Sequence, residues 1–387
     1  MRLKLKSKRI LLGVVGTAAA WLLAVASVAG QAAPAPKPVM AEDVFKSVQV
    51  LKGITVNEFM QTMGFFSASL GLNCTSCHGE ESGSDWASYA DDRPLRKQTT
   101  RRMVLMVNAL NRANFQGRQI VTCYSCHRGD IRPQIIPSLD VQYAEPVYIE
   151  PDELPEQAPR APAADQVLDK YLQAIGGLQR LAGISSISAK GIRQDYDDVI
   201  EKYPVEVVAR ATGQHATTVR SRNGDRSVVF DGIGGWIAAP LSEVPVPVLP
   251  MTAEELDAAK VDAALFFPAK LKQSLTQWRV GFPTTIDNRD VLFVQGISPA
   301  GSAVKLYFDR ESGLLIRQVR YSKTMVGRVP TKVEYADYRD VAGVKLPFRM
   351  VTTWTDGRSI TELSDVQVNV AIETTKFGRP AVPVPVP

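Results

Sequence analysis

Cysteine and histidine are the scarce residues of this chain: 387 positions hold four of the first and three of the second. All four cysteines and two of the histidines fall in two short stretches, Cys74-Thr75-Ser76-Cys77-His78 and Cys123-Tyr124-Ser125-Cys126-His127. No thiol is left over for a disulfide framework. An excess of one charge is missing too. There are 45 Lys and Arg against 40 Asp and Glu, and five of the basic residues (Arg2, Lys4, Lys6, Lys8, Arg9) sit together at the start. Without them the two signs balance, which removes the electrostatic footprint of a nucleic-acid binder. From Ile10 to Gly30 there is no charge at all. A basic head, an apolar run and trailing small residues form a secretory pattern, with residues 1–31 read as signal peptide or signal anchor. Cleavage is expected between Ala29 and Ala33. The run also has the length of a membrane span, so an anchor over residues 10–30 stays open as the second reading. No cysteine follows the run, so a lipid-anchored terminus is not expected.

Each Cys-x-x-Cys-His stretch is the attachment signature of c-type haem. Two thiols three positions apart lie on one side of a helical turn, where both can form thioethers to the haem vinyl groups. The adjacent histidine then faces the iron. A zinc site built from the two cysteine pairs would leave both histidines without a purpose. A thioredoxin-type motif would need one pair beside a βαβ pattern, not two. The expected cofactors are therefore two covalently bound haem c groups. The expected thioether residues are Cys74, Cys77, Cys123 and Cys126, with His78 and His127 on iron. Covalent haem attachment outside the cytoplasm agrees with export, and the expected location is periplasmic.

In chain order, Thr55-Val56-Asn57-Glu58 offers a capping box. Val56, Phe59, Met60, Met63, Phe66 and Leu70 continue it with helical spacing up to Gly71, which suits a left-handed close. The first haem stretch follows at once, then a polar loop from Gly79 to Arg93. Pro94 opens a second helix, expected to about Asn111, with Met103, Val104, Val107 and Leu110 on one side. The second haem stretch comes next, so the order is helix, haem, helix, haem. These elements form an expected di-haem domain over residues 41–143. Five prolines among acidic residues mark residues 144–163 as an extended linker. From Asp165 to Leu181 a helical pattern returns. Alternating apolar stretches follow, separated by the turn signals Asn223-Gly224, Asp231-Gly232, Asp309 to Gly313 and Asp356-Gly357. Thr252-Ala253-Glu254-Glu255 starts one more helix, expected to about Leu271. Residues 164–377 thus read as a large antiparallel sheet with helices, and 378–387 as a disordered Pro/Val tail. The fold class is α+β in two domains: a mainly helical di-haem cytochrome domain, then an antiparallel β half-barrel with helices.

A six-coordinate haem needs one more ligand per iron, and a thioether favours the ferrous state. Met60 and Met63 precede the first stretch, Met103 and Met106 the second. Each pair is three apart, so spacing alone does not choose between its members. The runs Val50-Leu51-Lys52-Gly53-Ile54, Glu58-Phe59-Met60-Gln61-Thr62-Met63, Leu70-Gly71-Leu72-Asn73-Cys74, Arg102-Met103-Val104-Leu105-Met106-Val107-Asn108-Ala109-Leu110-Asn111 and Val121-Thr122-Cys123-Tyr124-Ser125-Cys126-His127-Arg128-Gly129 resemble the cytochrome c subunit of photosynthetic reaction centres. The resemblance covers about residues 43–140. It implies Met63 and Met103 as the sixth ligands. That family typically carries four haems, whereas this chain has motifs for two. The implied role is a general electron carrier between redox protein partners, not an enzyme. Arg128 and Arg132, after the second motif, suit haem propionates, since a guanidinium pairs well with a carboxylate. Tyr124 is expected to pack, and His215, in Gly213-Gln214-His215, to be an ordinary surface histidine.

The second half shows no catalytic constellation. Ala174-Ile175-Gly176-Gly177, Gly232 to Trp236, Lys305-Leu306-Tyr307-Phe308-Asp309 and Gly343-Val344-Lys345-Leu346-Pro347 resemble periplasmic lipoprotein-carrier-like domains. Such a domain implies a concave apolar surface for a lipid-like molecule or a docked protein. Two rivals to the carrier reading are a di-haem peroxidase and a haem-based redox sensor whose sheet reports haem state. A peroxidase needs an open or displaceable sixth position, and methionines ahead of both motifs argue against it.

Overall fold

The computed structural model describes residues 37–383 apart from 84–85, 134, 138, 140–156 and 197–200. The expected signal segment, most of the expected linker and the last four residues of the Pro/Val tail lie outside the described residues.

The first part is helical. A single turn, α1 (Ala41–Val44), leads to α2 (Val56–Leu70), α3 (Cys74–His78), α4 (Leu95–Phe115) and α5 (Cys123–His127). Helix α2 starts where Thr55 accepts the Glu58 N–H at 3.2 Å, a cap that contributes about 1 kcal/mol. The reciprocal half of the expected capping box is not made. The Glu58 carboxylate instead accepts the backbone N–H of Met325, far along the chain. Gly71 closes α2 at φ +65°, as expected. Helix α4 runs one turn beyond Asn111 because Gln116, at φ +56°, and Gly117 both return their N–H groups to the Asn111 carbonyl.

The second part is one antiparallel sheet. Its strands are β1 (Ser186–Tyr196), β2 (Glu201–Arg210), β3 (His215–Ser221), β4 (Gly224–Phe230), β5 (Gly235–Ala238), β6 (Val248–Pro250) and β7 (Thr276–Val280). They continue as β8 (Thr284–Ile286), β9 (Arg289–Ile297), β10 (Ala303–Asp309), β11 (Leu315–Thr324), β12 (Gly327–Val341), β13 (Val344–Trp354) and β14 (Gly357–Val368). Their spatial order is β6-β5-β4-β3-β2-β1-β14-β13-β12-β11-β10-β9-β7, with β8 beside β9. From β1 to β6 and from β8 to β14 consecutive strands pair, while β1 also pairs with β14, β7 pairs with β9, and β6 and β7 lie at opposite edges. All four turn signals fall between consecutive strands.

Helices α6 (Ala164–Ala174), α7 (Leu178–Ala182), α8 (Ala253–Phe266) and α9 (Leu271–Ser274) cover one face. Leu168, Leu172, Val261 and Leu271 meet Val294, Leu306, Phe308 and Val344 in the largest apolar cluster. Burying each such side chain stabilises by about 1.5–3 kcal/mol. The helical pattern of Asp165–Leu181 is broken at Gly176 and Gly177, both at positive φ. At Gly176 the chain touches the start of β13, where a Cβ would lie 2.7 Å from the Gly343 carbonyl. Helix α8 has the complete Thr252/Glu255 capping box but stops at Phe266, five residues short of expectation, because Pro268 cannot continue the ladder.

His215 is not a surface residue. It opens β3 at 6 % exposure, with its ring 5.5 Å from Phe230 and 5.8 Å from Phe266 of α8. Burial holds its pKa below the usual 6.5, Asp262 of α8 opposes this, and Arg320 of β11 adds to it. The unfolded chain therefore takes up this proton first as pH falls. Stability from the neutral ring is complete above about pH 6.5 and is lost below it, at no more than about 1.4 kcal/mol per pH unit. Denaturant melts between pH 7 and 5 are expected to show a shallower acid slope for His215→Gln than for the parent chain; equal slopes would refute a buried neutral ring.

Candidate haem-attachment sites

Both attachment stretches form isolated helical turns, so each cysteine pair is brought to one side by an i, i+3 relation. In the first, Asn73 caps α3 by accepting the Ser76 N–H at 3.0 Å. His78 Nδ1 lies 3.1 Å from the Tyr89 carbonyl, to which it donates as the Nδ1–H tautomer. Its ring packs 4.8 Å from Tyr89, which in turn stacks on Trp86. The start of α4 braces this loop: Lys97 donates to the Tyr89 and Asp91 carbonyls, and Arg96 to the Ser76 carbonyl. Arg101, Ser47 and Lys97 gather on Asp92 and hold its carboxyl below the usual range.

The second stretch repeats the arrangement with other partners. His127 Nδ1 lies 3.1 Å from the Asp130 carbonyl. Arg128 takes the left-handed cap position at φ +51°. In both motifs a backbone carbonyl fixes the ring through Nδ1, which leaves Nε2 as the basic nitrogen for a metal. None of the four thiols is in a disulfide among the described residues; they are half-buried or exposed, and burial pushes those of Cys77 and Cys123 up.

These residues fit haem on one further count. Helix α4 buries only Val104 and Asn111, leaving Met103 and Val107 half-exposed and Met106 and Leu110 open beside them. That apolar strip has the character of a surface a flat macrocycle covers.

The other expected site residues take these places. Met60 and Met63 on α2 are half-buried, and Met63 packs against a cluster formed by Phe65, Phe66, Val104, Val326 and Val329. Arg128 and Arg132 are exposed just beyond the second motif. Tyr124, expected to pack, is 54 % exposed, because α5 buries no residue and its side points outward.

The sequence reading missed several supports. Tyr89 and Asp130 act through backbone carbonyls, which leave no mark in a side-chain pattern. Asn111 was legible: it lies seven residues after Val104, in phase with it, and both polar ends of its amide bond the backbone of Val121. Glycines bring the two motifs together. The Gly129 N–H caps the Ser69 carbonyl of α2, and a Cβ on Gly71 would lie 2.2 Å from the Gly129 carbonyl.

In the sheet region a small, partly open apolar cavity of about 30 Å³ lies among Tyr171, Ile175, Leu181, Phe266, Tyr338 and Leu346. Small-molecule pockets usually measure roughly 300–1,000 Å³. An open polar cleft of about 710 Å³ at the ends of β2 and β3 is lined by Glu201, Tyr203, Arg220 and Arg222.

A solved LolA superfamily protein from Nitrosomonas europaea is 13 % identical over 56 % of this chain and 98 % of its own, with a TM-score of 0.40. A lipoprotein-sorting protein domain from Vibrio parahaemolyticus is 11 % identical over 54 % of this chain and 97 % of its own, with a TM-score of 0.37. Among curated relatives, the photosynthetic reaction center cytochrome c subunit of Roseobacter denitrificans is 32 % identical over 104 residues, 25 % of this chain and 27 % of that one. The same subunit of Thermochromatium tepidum is 36 % identical over 99 residues, 24 % of this chain and 23 % of its own. The match spans only about a quarter of the length of these relatives. The family model described as photosynthetic reaction centre cytochrome C subunit matches residues 18–154, which include both attachment motifs. That segment of the chain is similar in sequence to the photosynthetic reaction centre cytochrome c subunit family.

Proposed function

We propose that this protein is an exported di-haem c-type cytochrome that carries electrons between redox partners in the periplasm. One observation carries the reading: two Cys-x-x-Cys-His turns, each with its histidine held through Nδ1 by a backbone carbonyl. Cys74 and Cys77 would hold one haem and Cys123 and Cys126 the other, with Nε2 of His78 and His127 on the irons. Met63 and Met103 complete the two sets, and Arg128 and Arg132 offer charge to propionates. Bound haem supplies a one-electron ferrous–ferric couple. The chain's own contribution is to fix the imidazoles, cover the macrocycles with apolar side chains and supply soft sixth ligands.

The basic head and uncharged run support export. Among the described residues no helix is long and apolar enough to cross a membrane. For the sheet, partner docking is favoured over a lipid-like guest, because the apolar cavity would have to open by roughly tenfold to reach ordinary pocket size.

The test is haem content. Produced in a host that matures c-type cytochromes, the protein is expected to exceed its apoprotein mass by two haems, and the haem should resist acid–acetone extraction. A mass increase of one haem or none would refute the proposal. A persistent high-spin spectrum with peroxide turnover would favour the peroxidase instead.

A further inference from the structure

We infer that the tip of the β11–β12 hairpin, Thr324–Gly327, positions the second attachment motif. The inference rests on the two-haem reading above. Helix α5 fully buries none of its own residues: Cys123 packs on the apolar cluster, and the segments on either side add ties of their own. Upstream, Gln119 donates its side-chain N–H to the Thr324 carbonyl at 2.8 Å, four residues before Cys123. Downstream, Gly129 is tied to the end of α2.

The hairpin is itself locked onto α2. Strand β10 pairs with β11 only as far as Arg320, so the end of β11 overhangs. The overhanging N–H groups are taken by carboxylates: Lys323 donates to Glu254 of α8 at 2.9 Å, and Met325 to Glu58 of α2. Asn57, beside Glu58, adds a 2.8 Å bond to Glu255. Gly327 lets the Phe65 ring close over the turn, since a Cβ there would lie 2.6 Å from Phe65 Cζ. Val326 and Val329 are buried with Phe65 and Val104, and Met63, Cys123 and Met325 pack against that same cluster.

The hairpin thus holds α2 with one set of contacts and the approach to Cys123 with another. A haem's potential responds to the burial and hydrogen bonding around it. Cutting the Gln119 tie therefore alters the second haem's surroundings and leaves the first motif braced by the start of α4, whereas freeing α2 from the hairpin also reaches Met63, which packs against the same cluster. Gln119, Glu58 and the hairpin backbone act as positioning groups.

Gln119 is exposed, so Gln119→Ala removes one tether without opening the core. Glu58→Leu removes the acceptor for Met325, whereas Glu58→Gln retains a carbonyl oxygen in its place. Redox titration of the full haem-loaded chain, followed optically, reads both haems. Each wave is assigned with a variant lacking the other motif's cysteine pair. Gln119→Ala and Glu58→Leu are each expected to shift the second-motif wave, and together to shift it further. In Gln119→Ala the first-motif wave should stay in place, and Glu58→Gln should restore the parent value. An unmoved second wave in Gln119→Ala and in the double variant overturns the inference. So does equal movement of both waves in Gln119→Ala, which would mean general loosening. If the double variant does not fold, Gln119→Ala alone decides. Fewer than two haems in the parent chain would instead refute the reading on which the inference rests.

Discussion

Met63→His is expected to lower the potential of the first-motif haem and leave the second nearly unchanged, and Met103→His to do the converse. An imidazole is a stronger donor than a thioether and favours ferric iron, while a thioether favours ferrous. Axial ligands set haem potentials over about 0.8 V, so a single exchange should move one wave by on the order of 0.1 V. Each change should also remove about half of the weak near-infrared sulfur-to-iron band, since one of two such ligands is lost. Met60→Leu and Met106→Leu roughly preserve volume and should alter neither signal. Met106 is 52 % exposed, so its replacement should also cost little stability. The experiment decides a further point. Helix α2 packs against α5 as well as leading into α3, and α4 packs against both α3 and α5. If Met63→His moved the second wave, the ligands would be crossed between the motifs. If Met60→Leu or Met106→Leu removed the band, the assignment would be wrong by about one helical turn.

The sheet region without the helical region is expected to fold without haem, yet to melt well below the full chain. The sequence places this domain at residues 164–377. A fragment with those bounds keeps Phe377, which is 1 % exposed beneath the Arg210 guanidinium, but lacks Ala158, whose N–H pairs with the Val280 carbonyl. Residues 157–383 keep both, along with the main cluster between α6–α9 and the sheet. What this fragment loses is the cover over Val326 and Val329. Exposing two valines costs about 3–6 kcal/mol. At roughly 2–4 °C per kcal/mol for a chain of this size, the melting temperature should fall by about 10 °C or more. Thermal melts followed by circular dichroism measure it. A fragment melting within a few degrees of the full chain would show the hairpin contact to be weak, and no cooperative transition would show that the sheet depends on the helical region. Phe65→Ala in the full chain tests the same contact from the other side, with an expected cost of about 3–5 kcal/mol.

The sequence by itself determined what depends on short range. Two cysteines and a histidine inside one turn carry the proposed attachment chemistry wherever the turn is placed, so both candidate stretches were legible without coordinates. The same holds for the Thr55 and Thr252 caps, the left-handed Gly71 and the four hairpin turns, each set by a few adjacent residues. Only the tertiary structure decided matters of long range. The Glu58 carboxylate turned away from its own helix because the overhanging Met325 N–H, 267 residues later, needed an acceptor. His215 looked superficial from its polar neighbours, but α8 crosses the start of β3 and covers it. Tyr124 looked like packing, but it is 54 % exposed, and α5 turns Cys123, not Tyr124, toward the apolar cluster. The ties from Gln119 to Thr324 and from Gly129 to Ser69 join segments with no local pattern in common. Local backbone geometry and thiol spacing are written in neighbouring residues; which buried donor meets which acceptor is fixed only when the sheet and the helices close on one another.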